Sequence, residues 1–452
     1  MYQDIKQFRT KIKDRTPALK GNQYVNEHFI GVQHEMTTGF FQIFHGVKNE
    51  ISDFLRGAFD MAEDSQAIFE FIQNAADCRS THFCLFFNDE HFLAINNGEM
   101  FSEGGIESIL NIGQSHGKKT GDTIGRFGVG FKLVHRLVGI SDGLDEIVNK
   151  GAGPILFSWS KEVELRDFLD SSKGFAQISS SHESAPWLLK ILLTCFPTQV
   201  NEVVKNLKYE DTVAFTESEL LACRAFAITN LATIEMSMFK QGSLFYLQLG
   251  KGKANALYKE ANELERGASV SLRFLNSLTS ITLNKHNINS SLNWLKPGCI
   301  PSDSEEFQTI GLIDEKSKNY PLRIEVGYKQ VADPDYNLAN TPNFYKYFPI
   351  GDEVNKLQFV VHTNAFLIGT NRRHLHSDPI NQRILLAVSR LIQTRLDEAK
   401  DISPEVFRDF FVAILLSQSP NETRNEWQQD CLYTPLIAMV RKEIGYADLK
   451  TY

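Results

Sequence analysis

The sequence predicts a mixed α+β protein. It reads as a two-layer α/β sandwich over residues 1–260, followed by a second α+β unit over residues 261–452 with a helical C-terminal tail. Three observations carry this. Helix-period and strand-period stretches alternate through the first unit. A second strand-rich stretch follows a break near Gly252 to Gly267. The last hundred residues, from about Pro379 to Glu443, are mostly helix-patterned. A chain of 452 residues, 42% hydrophobic and 23% charged, is long enough and apolar enough for two or three buried cores.

Taken in order, residues 24–57 read as a helix with an aromatic face of Phe29, Phe40, Phe41, Phe44 and Phe54, and a second helix runs from about Ser65 to Arg79. "THFCLFFNDEHFLAINNG" gives two short strands about an Asn-Asp-Glu hairpin. "SEGGIESILNIG" reads as a helix capped by Ser102, and the polar, glycine-bearing "QSHGKKTGDT" as a loop. A glycine cluster then leads into a helix from about Val129. "PILFSWS" and "SLFYLQLG" are strand-like, and between them "WLLKILLTCF" and "ESELLACRAFAITNLA" read as helical. Beyond the break, "SVSLRFLNSLTSITLN", "PLRIEVGYKQV" and "KLQFVVHTNAFLIG" read as strands.

The bulk numbers exclude several function classes. A formal charge of −8 argues against a globally basic nucleic-acid binder. Six scattered cysteines without a C-x-x-C pair indicate neither a zinc site nor a disulfide framework. The first residues, MYQDIKQFRTKIKDR, lack the apolar core of a signal peptide. The longest apolar run, Ala185 to Phe196, is too short to span a bilayer. The expectation is a cytoplasmic protein with no membrane partner.

Three segments stand out chemically. In "FEFIQNAADC", Glu70, Asn74 and Asp77 fall on one helical face, opposite Ile68, Phe69, Ile72 and Ala76. On its own this stripe reads as a solvated face. "INNGEMF" follows a strand and ends at a helix, which places Asn96 and Asn97 at a free edge. "IGRFGVGFKLVHRL" packs Gly125, Gly128 and Gly130 before a helix. Glycine clusters there let backbone amides approach an anion at the positive end of the helix dipole.

Together, E-x-x-x-N-A-x-D, N-N-G-x-x-F and I-G-x-F-G-V-G-F-K resemble the GHKL ATPase superfamily, with the closest resemblance to the 90-kDa heat-shock chaperones and sacsin-like ATPases. The resemblance implies a Bergerat ATP-binding fold with ATP and Mg²⁺ as cofactors. It implies that Glu70 is the general base on the attacking water and that the Asn74 amide oxygen binds Mg²⁺. Asp77, Gly98 and Phe101 would line the pocket, and Asn111 would stand near the ribose and α-phosphate. The amides of Gly128, Val129, Gly130 and Phe131 would hold the phosphates. The lid would be "QSHGKKTGDT", with Ser115 and Lys118 or Lys119 reaching the phosphates on closure. One departure is visible. Asn96 stands where the family usually has an aspartate that accepts from the adenine amino group. Asparagine can accept through its oxygen, but it is uncharged and can instead present a donor. Ser243 would be the hydroxyl partner at this position, with Asp211-Thr212 as a rival.

In the second unit, "AFLIGTNRRHLHSDPINQRIL" resembles the chaperone loop that sends an arginine to the γ-phosphate, making Arg372 the better candidate and Arg373 the next. The implied function is an ATP-binding, slowly hydrolysing conformational switch, chaperone-like or part of a defence system. ATP would close the lid and dock the second domain. The implied partners are a second copy or a larger assembly formed with ATP, through residues 1–45, and a protein client the sequence does not name. A non-hydrolysing nucleotide-binding module and a MutL- or MORC-like DNA-associated clamp are the alternatives, the latter disfavoured by the acidic charge balance.

Overall fold

Seven strands form the sheet on which the first unit is built. They are β1 (His82–Phe87), β2 (His91–Asn96), β3 (Ile155–Trp159), β4 (Trp187–Lys190), β5 (Gly242–Gln248), β6 (Ser280–Lys285) and β7 (Ser290–Leu295), in the order β4-β3-β5-β2-β1-β6-β7. The structure is a computed structural model that describes residues 67–102, 105, 134, 137, 154–173, 186–190, 217–275, 277–286, 290–295, 307–316, 321–329, 342–350, 357–369, 374–417 and 426–445. All neighbouring strands of this sheet are antiparallel except β1 and β6, which run parallel. The β1–β2 hairpin turns at Asn88, whose Oδ1 accepts from the backbone N–H groups of Glu90 (2.9 Å) and His91 (2.7 Å).

Strand alternation gives the sheet two faces. One carries Phe92, Ala94 and Asn96 of β2 with Ser243 and Phe245 of β5. Helix α1 (Ala67–Asp77) covers it, its Phe71 ring 5.1 Å from Phe92 and 5.2 Å from Phe245. The other face carries Leu93, Ile95, Phe157, Trp159, Leu244 and Tyr246, and packs with Leu165 and Phe168 of α2 (Glu162–Leu169) and Cys223 and Ala227 of α3 (Glu217–Leu231). Helices therefore lie against both faces of the sheet. This is why β1, β2, β3 and β5 read as near-continuous apolar runs.

Both ends of α1 are tied down by side chains from far along the chain. The Phe69 N–H donates to Glu260 Oε1 (2.9 Å), and Ser277 Oγ donates to the Ala76 carbonyl (3.0 Å). The helix ends in a Schellman motif: Ser80 N–H bonds the Ala75 carbonyl and Arg79 N–H the Ala76 carbonyl, both at 3.0 Å, with Arg79 in the left-handed region at φ 59°.

Two local readings are corrected. "WLLK" is strand β4, paired with β3, rather than the start of a helix. Periodicity cannot separate a short apolar run in a sheet from a buried helical turn. The expected break at Gly252 to Gly267 and the first part of the strand stretch after it are instead helix α4 (Ala254–Phe274), whereas the end of that stretch, from Ser280, is strand β6 as expected. Gly267 lies inside that helix, where an added Cβ would come within 3.1 Å of Pro349 Cγ and 3.4 Å of Tyr345 Oη. It is a packing glycine, which sequence alone presents as a breaker.

By contacts the chain divides into Met1–Ala261 with Asn276–Leu295, and Asn262–Leu275 with Lys296–Tyr452. Strands β6 and β7, read from the sequence with the second unit, belong to the first unit's sheet through β1. The second unit has a five-stranded sheet in the order β11-β10-β12-β9-β8, made of β8 (Phe307–Lys316), β9 (Pro321–Lys329), β10 (Phe344–Lys346), β11 (Phe348–Pro349) and β12 (Phe359–Thr363). Its core joins Ile324, Val326, Phe359 and Val361 to Ile384, Val388 and Ile392 of α5 (Pro379–Ile402), Phe410 and Ala413 of α6 (Pro404–Leu416), and Leu436 and Met439 of α7 (Thr434–Ile444). The mixed α+β class with a helical C-terminal segment is thus as the sequence predicts. Among the described residues no helix is long and apolar enough to cross a membrane.

Candidate functional site

Helix α1 is buried nearly all round. Ala67, Ile68, Phe69, Phe71, Ile72, Gln73 and Ala75 are buried, whereas Glu70, Asn74 and Asp77 are half-buried at i, i+4 and i+7. The most open stripe of an otherwise enclosed helix therefore consists of a carboxylate, an amide and a carboxylate. Ala76, expected on the buried side, is half-buried. The Asn74 side chain makes no hydrogen bond with the described residues, so its amide oxygen is available as a neutral hard ligand.

The Schellman turn delivers Ser80 to Asn96. Ser80 Oγ donates to Asn96 Oδ1 (3.0 Å), and the Gly98 backbone N–H donates to the same oxygen (3.0 Å). Glu99 N–H closes the contact by donating to the Cys78 carbonyl (2.8 Å). Gly98 is required for this approach, because a Cβ there would lie 2.4 Å from Ser80 Oγ and 2.6 Å from the Cys78 carbonyl oxygen. The nearby Arg79–Glu99 pair (3.2 Å) is exposed and contributes little.

Of the two adjacent asparagines only Asn96 has capacity to spare. Asn97 Oδ1 accepts from the N–H groups of Thr81 (2.9 Å) and His82 (2.8 Å), and its Nδ2 donates to Thr81 Oγ1 (2.8 Å) and the Met238 carbonyl (3.1 Å). Asn97 is a staple between β1 and the loop after β2.

The register sets Ser243 directly opposite Asn96, and Ser158 opposite Ser243, so the three side chains form a row on the face that α1 covers. Ser243 does not bond Asn96; the hydroxyl on Asn96 is that of Ser80. Ser158 Oγ donates to the Gly242 carbonyl (3.0 Å) and accepts from Phe101 N–H (3.0 Å). Ser243 Oγ lies 2.9 Å from Ser158 Oγ, and either hydroxyl can donate across that contact. Phe101 is also fixed through its carbonyl, which accepts from Trp187 Nε1 (2.6 Å), and its ring meets Phe245 edge-on at 6.0 Å. Gly242 allows the strands to meet: at φ 156°, a Cβ would stand 2.0 Å from the Asn96 carbonyl oxygen. Ser80, Ser158 and Trp187 are not singled out by the sequence, because only the strand register and the helix C-cap bring them to Asn96.

Burial, with the Asp77 and Glu99 carboxylates adding to it, pushes the Cys78 thiol up to about 11. It stays protonated at neutral pH. Among the described residues no three His, Cys, Asp or Glu side chains gather as a metal site.

Asn111, Ser115, Lys118, Lys119 and the cluster Gly128, Val129, Gly130 and Phe131 lie outside the described residues, as do residues 24–57, Asp211-Thr212, Arg372 and Arg373. The expected Ser102 cap is present in part, with Ser102 Oγ accepting from Gly105 N–H (3.2 Å). The residues flanking the arginine pair are firmly held. Ile368 and Leu375 bridge, and Gly369 N–H donates to the His374 carbonyl (3.0 Å). The buried Asn381 accepts from Leu367 N–H (2.9 Å) and donates to the carbonyls of Leu367 (2.7 Å) and His376 (2.9 Å). The cap of α5 is Asp378, whose Oδ1 accepts from Ile380 N–H (2.8 Å).

No family model matches the chain, and no curated protein matches it. Among solved structures, the ATP-binding domain of topoisomerase IV from Francisella tularensis, in complex with a small-molecule inhibitor, aligns at 13% identity and a TM-score of 0.35, covering 84% of this chain and 92% of that one. The B-subunit of DNA gyrase from Myxococcus xanthus aligns at 9% identity and a TM-score of 0.36, covering 76% and 93%. With TM-scores below 0.5, neither likeness establishes a shared fold or ligand.

Proposed function

We propose that the chain is a GHKL-type module that binds a magnesium nucleoside triphosphate and hydrolyses it slowly, ATP being the nucleotide the motif resemblance implies. The observation that carries this reading is the stripe of Glu70, Asn74 and Asp77, open on an otherwise enclosed helix whose C-terminal turn is bonded to Asn96. The chain order of the stripe, the Asn-Asn-Gly loop and the glycine cluster supports it from the sequence side.

In this reading Glu70 accepts the proton of the attacking water, a role suited to a carboxylate at hydrogen-bond reach. Asn74 fits Mg²⁺ as one neutral oxygen ligand among phosphate and water oxygens, the usual coordination of that ion. Bound there, Mg²⁺ would neutralise phosphate charge. The Gly128–Phe131 amides cradle the phosphates, Ser115 and Lys118 close over them, and Arg372 or Arg373 contributes to turnover. A ligand-driven change of this kind acts as a switch when the closed form binds nucleotide better than the open one.

The test is phosphate release by wild type and Glu70→Gln, with nucleotide affinity measured in parallel. The expected outcome is unchanged affinity with turnover reduced about 100-fold or more. Equal turnover in both removes Glu70 from the role. No turnover in either, with binding retained, makes the chain a non-hydrolysing module.

A further inference from the structure

The hydrogen-bond sense of Asn96 is fixed. A backbone N–H only donates, so the side-chain atom 3.0 Å from Gly98 N must be the oxygen. Ser80 Oγ donates to that same oxygen. The other end of the amide is therefore the NH₂ group, which has no partner among the described residues although Asn96 is only 6% exposed. A flip would set two donors, Nδ2 and the Gly98 N–H, against each other. Beside it, the Ser243 hydroxyl, 2.9 Å from Ser158 Oγ, can present either its proton or a lone pair.

We infer that this position selects the purine. Resting on the nucleotide-binding reading above, Asn96 offers a donor to the O6 of a 6-keto purine, an acceptor, and the Ser243 hydroxyl is able to accept from its N1–H. Adenine presents the opposite pair, an amino donor and an acceptor N1. The nucleotide is thus a guanine or hypoxanthine triphosphate in preference to ATP. A buried site built to pair one hydrogen-bond pattern rejects the inverse pattern, because its own polar groups are then left unmatched.

Asn96→Asp replaces the donor facing the 6-position by an acceptor without changing size, and the Ser243 hydroxyl can then donate to N1 of adenine. One carboxylate oxygen keeps the bonds from Ser80 and Gly98, and the other presents an acceptor where the amide presented a donor. The experiment is titration calorimetry of the full chain with Mg-ITP, Mg-GTP and Mg-ATP, for wild type and Asn96→Asp. The inference predicts ITP and GTP binding about tenfold or more tighter than ATP in wild type, and the reverse order in the variant. ITP separates the 6-position from the 2-amino group of guanine. If wild type binds ATP as tightly as ITP or more so, the base inference is overturned while the nucleotide site stands. If none of the three binds, both fall. The wild-type comparison decides the matter even if the variant does not fold.

Discussion

Replacing Gly98 by alanine tests whether the contact between the α1 C-cap and the loop after β2 is as tight as described. The new Cβ would meet Ser80 Oγ at 2.4 Å, the Cys78 carbonyl oxygen at 2.6 Å and Cys78 Cβ at 3.0 Å. The serine can rotate away; the carbonyl cannot, because it belongs to the cap of α1 and accepts from Glu99. Relief by backbone movement costs about 1–3 kcal/mol, as overpacking does. The Glu99–Cys78 and Gly98–Asn96 bonds are stretched at the same time, at about 1 kcal/mol each. The sum, about 3–5 kcal/mol, lowers the thermal midpoint by roughly 6–20 °C for a unit of this size. The assay is a thermal melt of wild type, Ser80→Ala, Gly98→Ala and the double variant. Ser80→Ala alone costs about 1 kcal/mol, for one lost bond to Asn96. If the backbone contact decides, Gly98→Ala remains costly in the Ser80→Ala background. A Gly98→Ala midpoint within about 1 °C of wild type would refute the reasoning.

Three further outcomes follow from the same geometry. Gly242→Ala is more damaging than Gly98→Ala, since its Cβ would lie 2.0 Å from a backbone oxygen at a φ of 156°; urea melts rank the two. Arg372→Ala lowers phosphate release; a thermal melt of the same variant tells a catalytic loss from a structural one, and turnover equal to wild type removes the arginine from the role. Acidification destabilises the fold near pH 6.5: burial lowers the pKa of His82, His91 and His286 below 6.5, so the unfolded chain binds protons there that the native state does not. Their stabilisation is fully present above 6.5 and is lost as pH falls through that value towards the folded pKa values. Melts at pH 7.5 and 5.5 check this, and an equal or higher midpoint at 5.5 contradicts it.

Much of this arrangement is legible in the sequence. The 3.6-residue spacing of Ile68, Ile72 and Phe71 against Glu70, Asn74 and Asp77 gives α1 and its open stripe, and Asn-Asp-Glu marks the β1–β2 turn through its Asx bonds. Asp378-Pro379 likewise announces α5. The rest depends on relations between distant residues. That Ser80, rather than Ser243, bonds Asn96 follows from an αL residue at Arg79, a position sequence assigns to glycine more readily. Gly267 looks like a breaker because the Pro349 and Tyr345 that crowd it lie some eighty residues further on. "WLLK" becomes a strand only because β3 offers an edge. The polarity of the Asn96 amide, left open by its type, is settled by the N–H two residues later.

The most direct test of the account is nucleotide affinity measured with and without Mg²⁺ in wild type and Asn74→Ala, using ATP, GTP and ITP in turn. Wild type is expected to bind at least one of them in a magnesium-dependent way, and Asn74→Ala to bind without that dependence. Absence of binding by the wild-type chain, or a magnesium effect undiminished in the variant, would contradict the assignment of the α1 stripe to a chelated triphosphate.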